Sequence, residues 1–245
     1  MRLFRTPYDD GDRLEIDGLP VRLKVNRRAR RVSLRVDRVR REALAIAPSR
    51  GRLAEAVDFA RDRYDWLAAR LAELPGAQVL AAGSTIHLLG EPCRLEPGPG
   101  RARLLAADDE APARLVACGR EGVEPVTVAR VIKLEARKAF EARAEVHCTL
   151  LGVDVPPISL NDARTRWGSC TPATARRPAS IRLSWRLALA PFTVADYVVA
   201  HECAHLIEGN HGPRFWALVT RLVGDHRPHR AWLRANGSSL HAFGR

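Results

Sequence analysis

One stretch, YVVAHECAHLIEGNHGPRFW over residues 197–216, restricts the fold of this chain more than any other. Its first half is an apolar run interrupted by His201 and His205, four residues apart. On a helix that spacing puts both imidazoles on one face, one turn apart. Two imidazoles so placed can reach one ion at about 2.0–2.1 Å each. Glu202 follows the first histidine and projects beside such an ion, where it can touch water, which is the H-E-x-x-H pattern. A helix that simply continued would carry His211 to another face. Gly209 and Asn210 accept a left-handed helix end, and Pro213 suits the first turn of a new helix. The fold must therefore supply a helix, a sharp turn and a second helix, with His211 swung back from the turn toward the ion. Three protein ligands leave a fourth position open to water, as in catalytic rather than structural zinc sites. A surface helix with three unrelated histidines would leave unexplained why Glu202 sits beside His201 in an apolar stretch.

The surroundings extend this reading. Thr193 reads as an N-cap with Asp196 three residues on, an acidic variant of the capping box, so the helix is expected over 194–208. Phe215, Trp216, Leu218, Val219, Leu222 and Val223 give the second helix an apolar face, closed by Gly224. Two strand-like segments precede the pair, 158–170 and 180–189. In the latter Ile181, Leu183, Trp185 and Leu187 alternate with Arg182, Ser184 and Arg186. The loop TPATARRPA between them makes an antiparallel hairpin. Further upstream, the spacing predicts a helix over 125–151 and an acidic, Gly/Pro-punctuated linker over 106–124. Short strands are expected over 84–105 and one long helix over 53–74. A half-buried strand carries Val32, Leu34 and Val36, with ALAIAPS as its partner. No internal repeat stands out.

Composition narrows the setting. The chain has 245 residues, 46% of them hydrophobic, enough for a real core in one large domain or two small ones. No 18-residue apolar run suggests a membrane span, and the N-terminus lacks the apolar segment of a secretory signal, so a cytoplasmic protein is expected. Five cysteines without a CxxC pair argue against a disulfide framework or a cysteine-built zinc ribbon. The net charge of +12 raises nucleic acid as a partner. All the basic residues but Lys24, Lys133 and Lys138 are arginines, which reads as overall composition rather than a tailored patch, so nucleic acid is not the favoured partner.

The segments RTRWGSC, IRLSWRLALAP and VVAHECAHLIEGNHGPRFW, in that order, resemble the YgjP-like family of metal-dependent hydrolases, grouped near the SprT-like zincin metallopeptidases. The resemblance extends to RRARRVSLRV and RAWLRANGSSL and covers about residues 20–240. It implies an α+β fold: a zincin-like catalytic domain over 121–245, its active-site helix preceded by the hairpin, and a β-rich N-terminal region over 1–120. It also implies one Zn2+ ion held by His201, His205 and His211, with Glu202 catalytic. The family often has Leu where this chain has Cys203, and both are apolar. The chemistry so implied is hydrolysis of a peptide bond in a peptide or protein substrate. Alternatives are a nucleic-acid-associated protein that processes bound proteins, and a hydrolase of non-peptide amides. Arg166, Asn161 and Tyr197 are candidate oxyanion donors. Trp167 is a candidate floor of the cleft, and Gly168 a point of close backbone approach. One strand of 158–187 is expected to pair with an extended substrate. Cys203 reads as core and Cys170 as a possible fourth ligand. His226 and His229 read as solvated, His87 and His147 as structural. Glu208 and Asp225 are candidates to orient the ligands.

Overall fold

The computed structural model describes residues 8–38, 40–74, 80–109, 111–117, 123–163 and 165–244. The chain divides into two compact units, Met1–Gly76 and Ala77–Arg245. The division falls ahead of the linker expected at 106–124, because a second sheet joins the core of the C-terminal unit and uses residues 113–117 as a strand. Cys118 lies outside the described residues.

The N-terminal unit has strands β1 (Arg13–Ile16), β2 (Leu19–Val25), β3 (Ser33–Asp37) and β4 (Glu42–Ala47), in the order β1-β2-β4-β3. The antiparallel β3–β4 pair, with Leu34 opposite Ala45, is the one expected from VSLRV and ALAIAPS. The single helix expected over 53–74 is instead two, α1 (Leu53–Asp62) and α2 (Tyr64–Ala72). Between them the backbone of Arg63 leaves the helical region, at φ −111° and ψ 22°. Leu53, Ala56, Val57 and Ala60 recur at helical spacing and share one core with Val21, Leu23, Ala43 and Ala45 of the sheet.

The C-terminal unit opens with β5 (Thr85–Leu88), β6 (Glu91–Pro97), β7 (Arg103–Leu105) and β8 (Ala113–Ala117), in the order β5-β6-β8-β7. This sheet repeats the first. Both have an antiparallel hairpin, a parallel central pair and an antiparallel outer pair. The registers also coincide: Val21 pairs with Leu14 and Ala43, and Cys93, 72 residues on, pairs with Ile86 and Ala113. Gly11 donates to Leu23 O at 3.0 Å, and Gly83 to Leu95 O at 2.7 Å. Each hairpin turns on two residues with positive φ, Asp17–Gly18 and Leu89–Gly90. Asp-Gly suits such a turn, whereas Leu89 is strained there and is held by a 2.6 Å bond from its N–H to Ala188 O. The expectation of no repeat is thus corrected. RLEIDGLPVRLKV and TIHLLGEPCRLEP share only Gly18/Gly90, Pro20/Pro92, Arg22/Arg94 and Leu23/Leu95, too little to stand out as sequence.

The remainder comprises α3 (Pro125–Leu151), β9 (Ile158–Asn161), β10 (Gly168–Thr171), β11 (Ser180–Ser184), α4 (Phe192–Ala204), α5 (Pro213–Val223) and α6 (Arg227–Ala242). α3 has the expected bounds, with Pro125 in its first turn and Gly152 stopping it at φ 71°. The segment expected as one strand over 158–170 is two strands flanking β11: β10 runs antiparallel to it and β9 parallel. The strand expected over 180–189 ends at Ser184, and residues 185–189 form a 3-10 turn. Arg186 explains the change. Alternation would put it in water, yet it is buried, paired with Asp162 at 2.6 Å and donating to Leu240 O and Phe243 O at 3.0 and 2.8 Å. A buried guanidinium needs such partners, and the turn delivers them.

Asp196 also departs from expectation. Helix α4 begins at Phe192, so Thr193 lies inside it, and no side chain caps it. The Asp196 carboxylate instead ties α4 to α3, accepting from Arg143 at 2.7 and 3.0 Å and bonding His147 Nε2 at 2.6 Å. This is the structural role expected of buried His147, while His87 is exposed on β5. Burial alone would raise the Asp196 pKa, but the bonds from His147 and Arg143 outweigh it and hold the carboxyl below its ordinary range. A depressed folded-state value means the contribution is complete above the unfolded pKa of about 3.9 and fades as pH falls through the folded value. Asp196→Ala strands a buried imidazole and a half-buried guanidinium and should cost about 3 kcal/mol in urea unfolding at pH 7. A loss below about 0.5 kcal/mol would show that the α3–α4 tie contributes little.

Candidate metal centre

Tyr197, His201 and His205 succeed one another at four-residue spacing along α4 and so share a face. The helix ends at Ala204 rather than at the expected Glu208, with His205 as its C-cap. The chain then tightens, with Leu206 N–H donating to Cys203 O at 3.0 Å and Glu208 N–H to Ala204 O at 3.0 Å. Neither Gly209 nor Asn210 adopts a positive φ. The reversal is made instead by a 2.7 Å bond from Gly212 N–H to Asn210 O, and Pro213 opens α5 as expected.

This path returns His211 to the face of α4. Its Nε2 stands 3.1 Å from His201 Nε2, and ligand-capable atoms of His201, His205 and His211 all lie within 4.8 Å of one another. Two nitrogens on one tetrahedral zinc would stand about 3.3 Å apart, so this set fits such an ion. His205 Nδ1 lies 3.0 Å from Glu208 O; donating its proton there leaves Nε2 with a free lone pair. The orienting group is thus the main chain of Glu208, not its carboxylate. Asp225, the other candidate, is tied to Arg227 at 2.8 and 3.0 Å. Burial, then the neighbouring His205, His211 and Arg230, pushes His201 down to about 3, so its imidazole is neutral, as a ligand must be. The Phe215 ring packs against all three histidines, with centroids 4.8, 4.4 and 4.7 Å from His201, His205 and His211.

Glu202 is 5% exposed, and burial pushes its pKa up to about 7, opposed by a bond from Cys170 N–H and by the charge of Arg166. A Cβ on Gly168 would lie 2.7 and 2.8 Å from Glu202 Cγ and Cδ and would overlap Oε1, so only glycine leaves room for this carboxylate. The glycine of RWGSC therefore makes room for a side chain of α4. Trp167 does not floor the cleft: it stacks on His241 at 4.5 Å and meets Gly237 of α6. A cleft of about 330 Å3 runs between Gly168, Ser169 and Cys170 of β10 and the residues His201, Glu202, His205 and His211. Asn161 is not in it; its side chain accepts from Ala163 N–H at 3.1 Å. Arg166 is exposed and close enough to act on Glu202.

The four described cysteines behave as small apolar groups. Cys203 is buried with its sulfur 3.8 Å from that of Cys148. Burial and the nearby Glu202 charge push Cys170 up to about 11, which disfavours a thiolate ligand. His226 and His229 are not solvated as expected. Both are half-buried and stack on Tyr197 at 6.2 and 5.8 Å. Their apolar partners lie on other helices, so nothing local in GDHRPHR signals it.

The model of the YgjP-like, metallopeptidase domain family matches residues 30–236. The chain belongs to the YgjP-like metallopeptidase family. It therefore carries a metal-dependent hydrolase domain, and the resemblance read from RTRWGSC and its companions holds over nearly the whole described chain. Among solved structures, this YgjP-like chain is similar to the metallopeptidase zymogen abylysin of Pyrococcus abyssi, at 19% identity and a TM-score of 0.33, covering 40% of this chain and 92% of that one. No curated protein matches it. Among the described residues no helix is long and apolar enough to cross a membrane.

Proposed function

We propose that the protein is a zinc-dependent peptidase in which His201, His205 and His211 hold the ion and Glu202 is the general base. The observation that carries this reading is the convergence of three neutral-capable imidazoles beside a buried carboxylate in one open cleft. Three imidazole donors suit zinc over magnesium or calcium, which prefer oxygen ligands. When bound, zinc supplies Lewis acidity, lowering the pKa of water and polarising a carbonyl.

The chain's own residues do the rest. Glu202, positioned by Cys170 N–H, accepts the proton of the attacking water and returns it to the leaving amine. Strand β10 is an outer strand of its sheet, so its outward main-chain groups other than Cys170 N–H, which Glu202 occupies, can pair with an extended peptide and present one bond to the histidines. Arg166 and Tyr197 are the candidates to steady the developing negative charge, whereas Asn161 and Trp167 are engaged elsewhere. The four described cysteines are free thiols, which suits the reducing cytoplasm.

Metal analysis and cleavage of a peptide library test the proposal together. One zinc per chain is expected, with cleavage abolished by a chelator and restored by zinc. A protein that binds no zinc when supplied with it, or that cleaves after complete chelation, would overturn it.

A further inference from the structure

The first turns of α6 lie beside the three histidines and carry positive charge that the chemistry above does not use. Arg230 stacks its guanidinium on the Trp216 ring at 4.8 Å. His226 lies on the same indole at 4.5 Å and 12°. Trp216 in turn stands 5.9 Å from His201 and 5.7 Å from His211. Tyr197, 5.9 Å from His201, carries His226 and His229 against its ring. These rings form one continuous block from the metal ligands to α6. Arg234, one turn beyond Arg230, is close enough to act on the Tyr197 hydroxyl together with it.

No described carboxylate forms an ion pair with Arg230 or Arg234, and Asp225 spends both oxygens on Arg227. Asp225 also accepts Arg227 N–H at 3.1 Å. Glu202 acts on the same Tyr197 hydroxyl, but its carboxylate is engaged by Cys170 N–H of β10 rather than by either guanidinium. His226 Nδ1 is buried with no hydrogen-bond partner among the described residues. A half-buried, stacked guanidinium is held in one orientation with its N–H edges free, the geometry that receives a carboxylate in two parallel bonds.

We propose that Arg230, flanked by His226 and His229 and backed by Arg234, is a carboxylate-binding subsite beside the metal centre. The substrate is then a peptide with a carboxylate next to the scissile bond, on an Asp or Glu side chain or at its own C-terminus. This inference rests on the peptidase reading and goes beyond it, since it names the substrate class.

The test uses zinc-loaded protein and three peptides of common core: neutral and amidated, Asp- or Glu-bearing and amidated, and neutral with a free C-terminus near the cleaved bond. The wild type should prefer one carboxylate-bearing peptide by about tenfold or more in kcat/KM, and which one identifies the source. Arg230→Gln should bring that ratio toward one. Arg230→Glu should invert it in favour of a fourth peptide that bears Lys in place of the acid, a gain that a misfolded variant cannot show. Equal cleavage of all three by the wild type, or a preference that survives both substitutions, overturns the subsite while leaving the peptidase reading intact. Tryptophan fluorescence of Glu202→Gln, titrated with the same peptides, reads the subsite without turnover. A Kd at least tenfold lower for a carboxylate-bearing peptide supports it even where cleavage fails, and equal Kd values overturn it.

Discussion

Glu202→Gln is expected to retain one zinc per chain and to lose cleavage by 100-fold to 10,000-fold or about that range, the contribution of a positioned acid–base group. The substitution keeps the shape of the side chain and leaves an oxygen that can still accept from Cys170 N–H. All three histidines are untouched, so metal content should not change. What is lost is the one carboxylate among the described residues lining the cleft, the group left to take and return a proton once the three histidines hold the ion. The wild-type pH profile gives an independent check. Without metal, burial sets Glu202 at about 7. A cation at the three histidines favours the carboxylate and pulls that value down. The base must be ionised to act, so kcat/KM should rise with pH through a limb at or below about 7, and the residual activity of Glu202→Gln should lack that limb. A variant that cleaves as fast as the wild type, with the same limb, would remove Glu202 from the mechanism.

Gly168→Ala is expected to cost about 100-fold in cleavage, again with zinc retained, because a misplacement of about 1 Å can cost that much. The added methyl would overlap Glu202 Oε1 and stand 2.7 Å from its Cγ. β10 cannot yield easily, since Gly168 is paired with Leu183 and the next residue but one, Cys170, holds the carboxylate. The glutamate must therefore leave its place. A purely structural glycine would instead lower the unfolding free energy and leave kcat per folded molecule unchanged. The two are told apart by active-site titration alongside urea unfolding. Normal turnover in a folded Gly168→Ala protein would show that Glu202 need not sit where it does.

Much of the local structure was legible in the sequence for simple reasons. Pro125 and Gly152 punctuate α3, and the charged and apolar periodicity between them is unbroken. Pro213 and Gly224 do the same for α5. The pairing of His201 with His205 follows from helical geometry alone. The failures share a cause as well. Asp196 has the spacing of a capping residue, but a bidentate arginine and a buried imidazole on another helix are stronger partners than a backbone N–H. Arg186 has the alternation of a strand, but a buried place among Asp162 and two carbonyls overrides it. Gly209 and Asn210 were suited to a left-handed turn, yet the chain reverses two residues later.

The sequence by itself determined which atoms are present to bind and react: three imidazoles, one carboxylate between two of them, and a helix that puts the first two on one face. Such facts depend on covalent spacing and on the 3.6-residue repeat, which act within a few residues. Tertiary structure decided that His211 faces His201 across 3.1 Å, that Phe215 underlies all three rings, and that a glycine 34 residues before Glu202 makes its room. It also brought Arg230 and two further histidines against Tyr197 and Trp216. Those placements are contacts between elements distant in the chain, and packing selects them only once β10, α4, α5 and α6 have met.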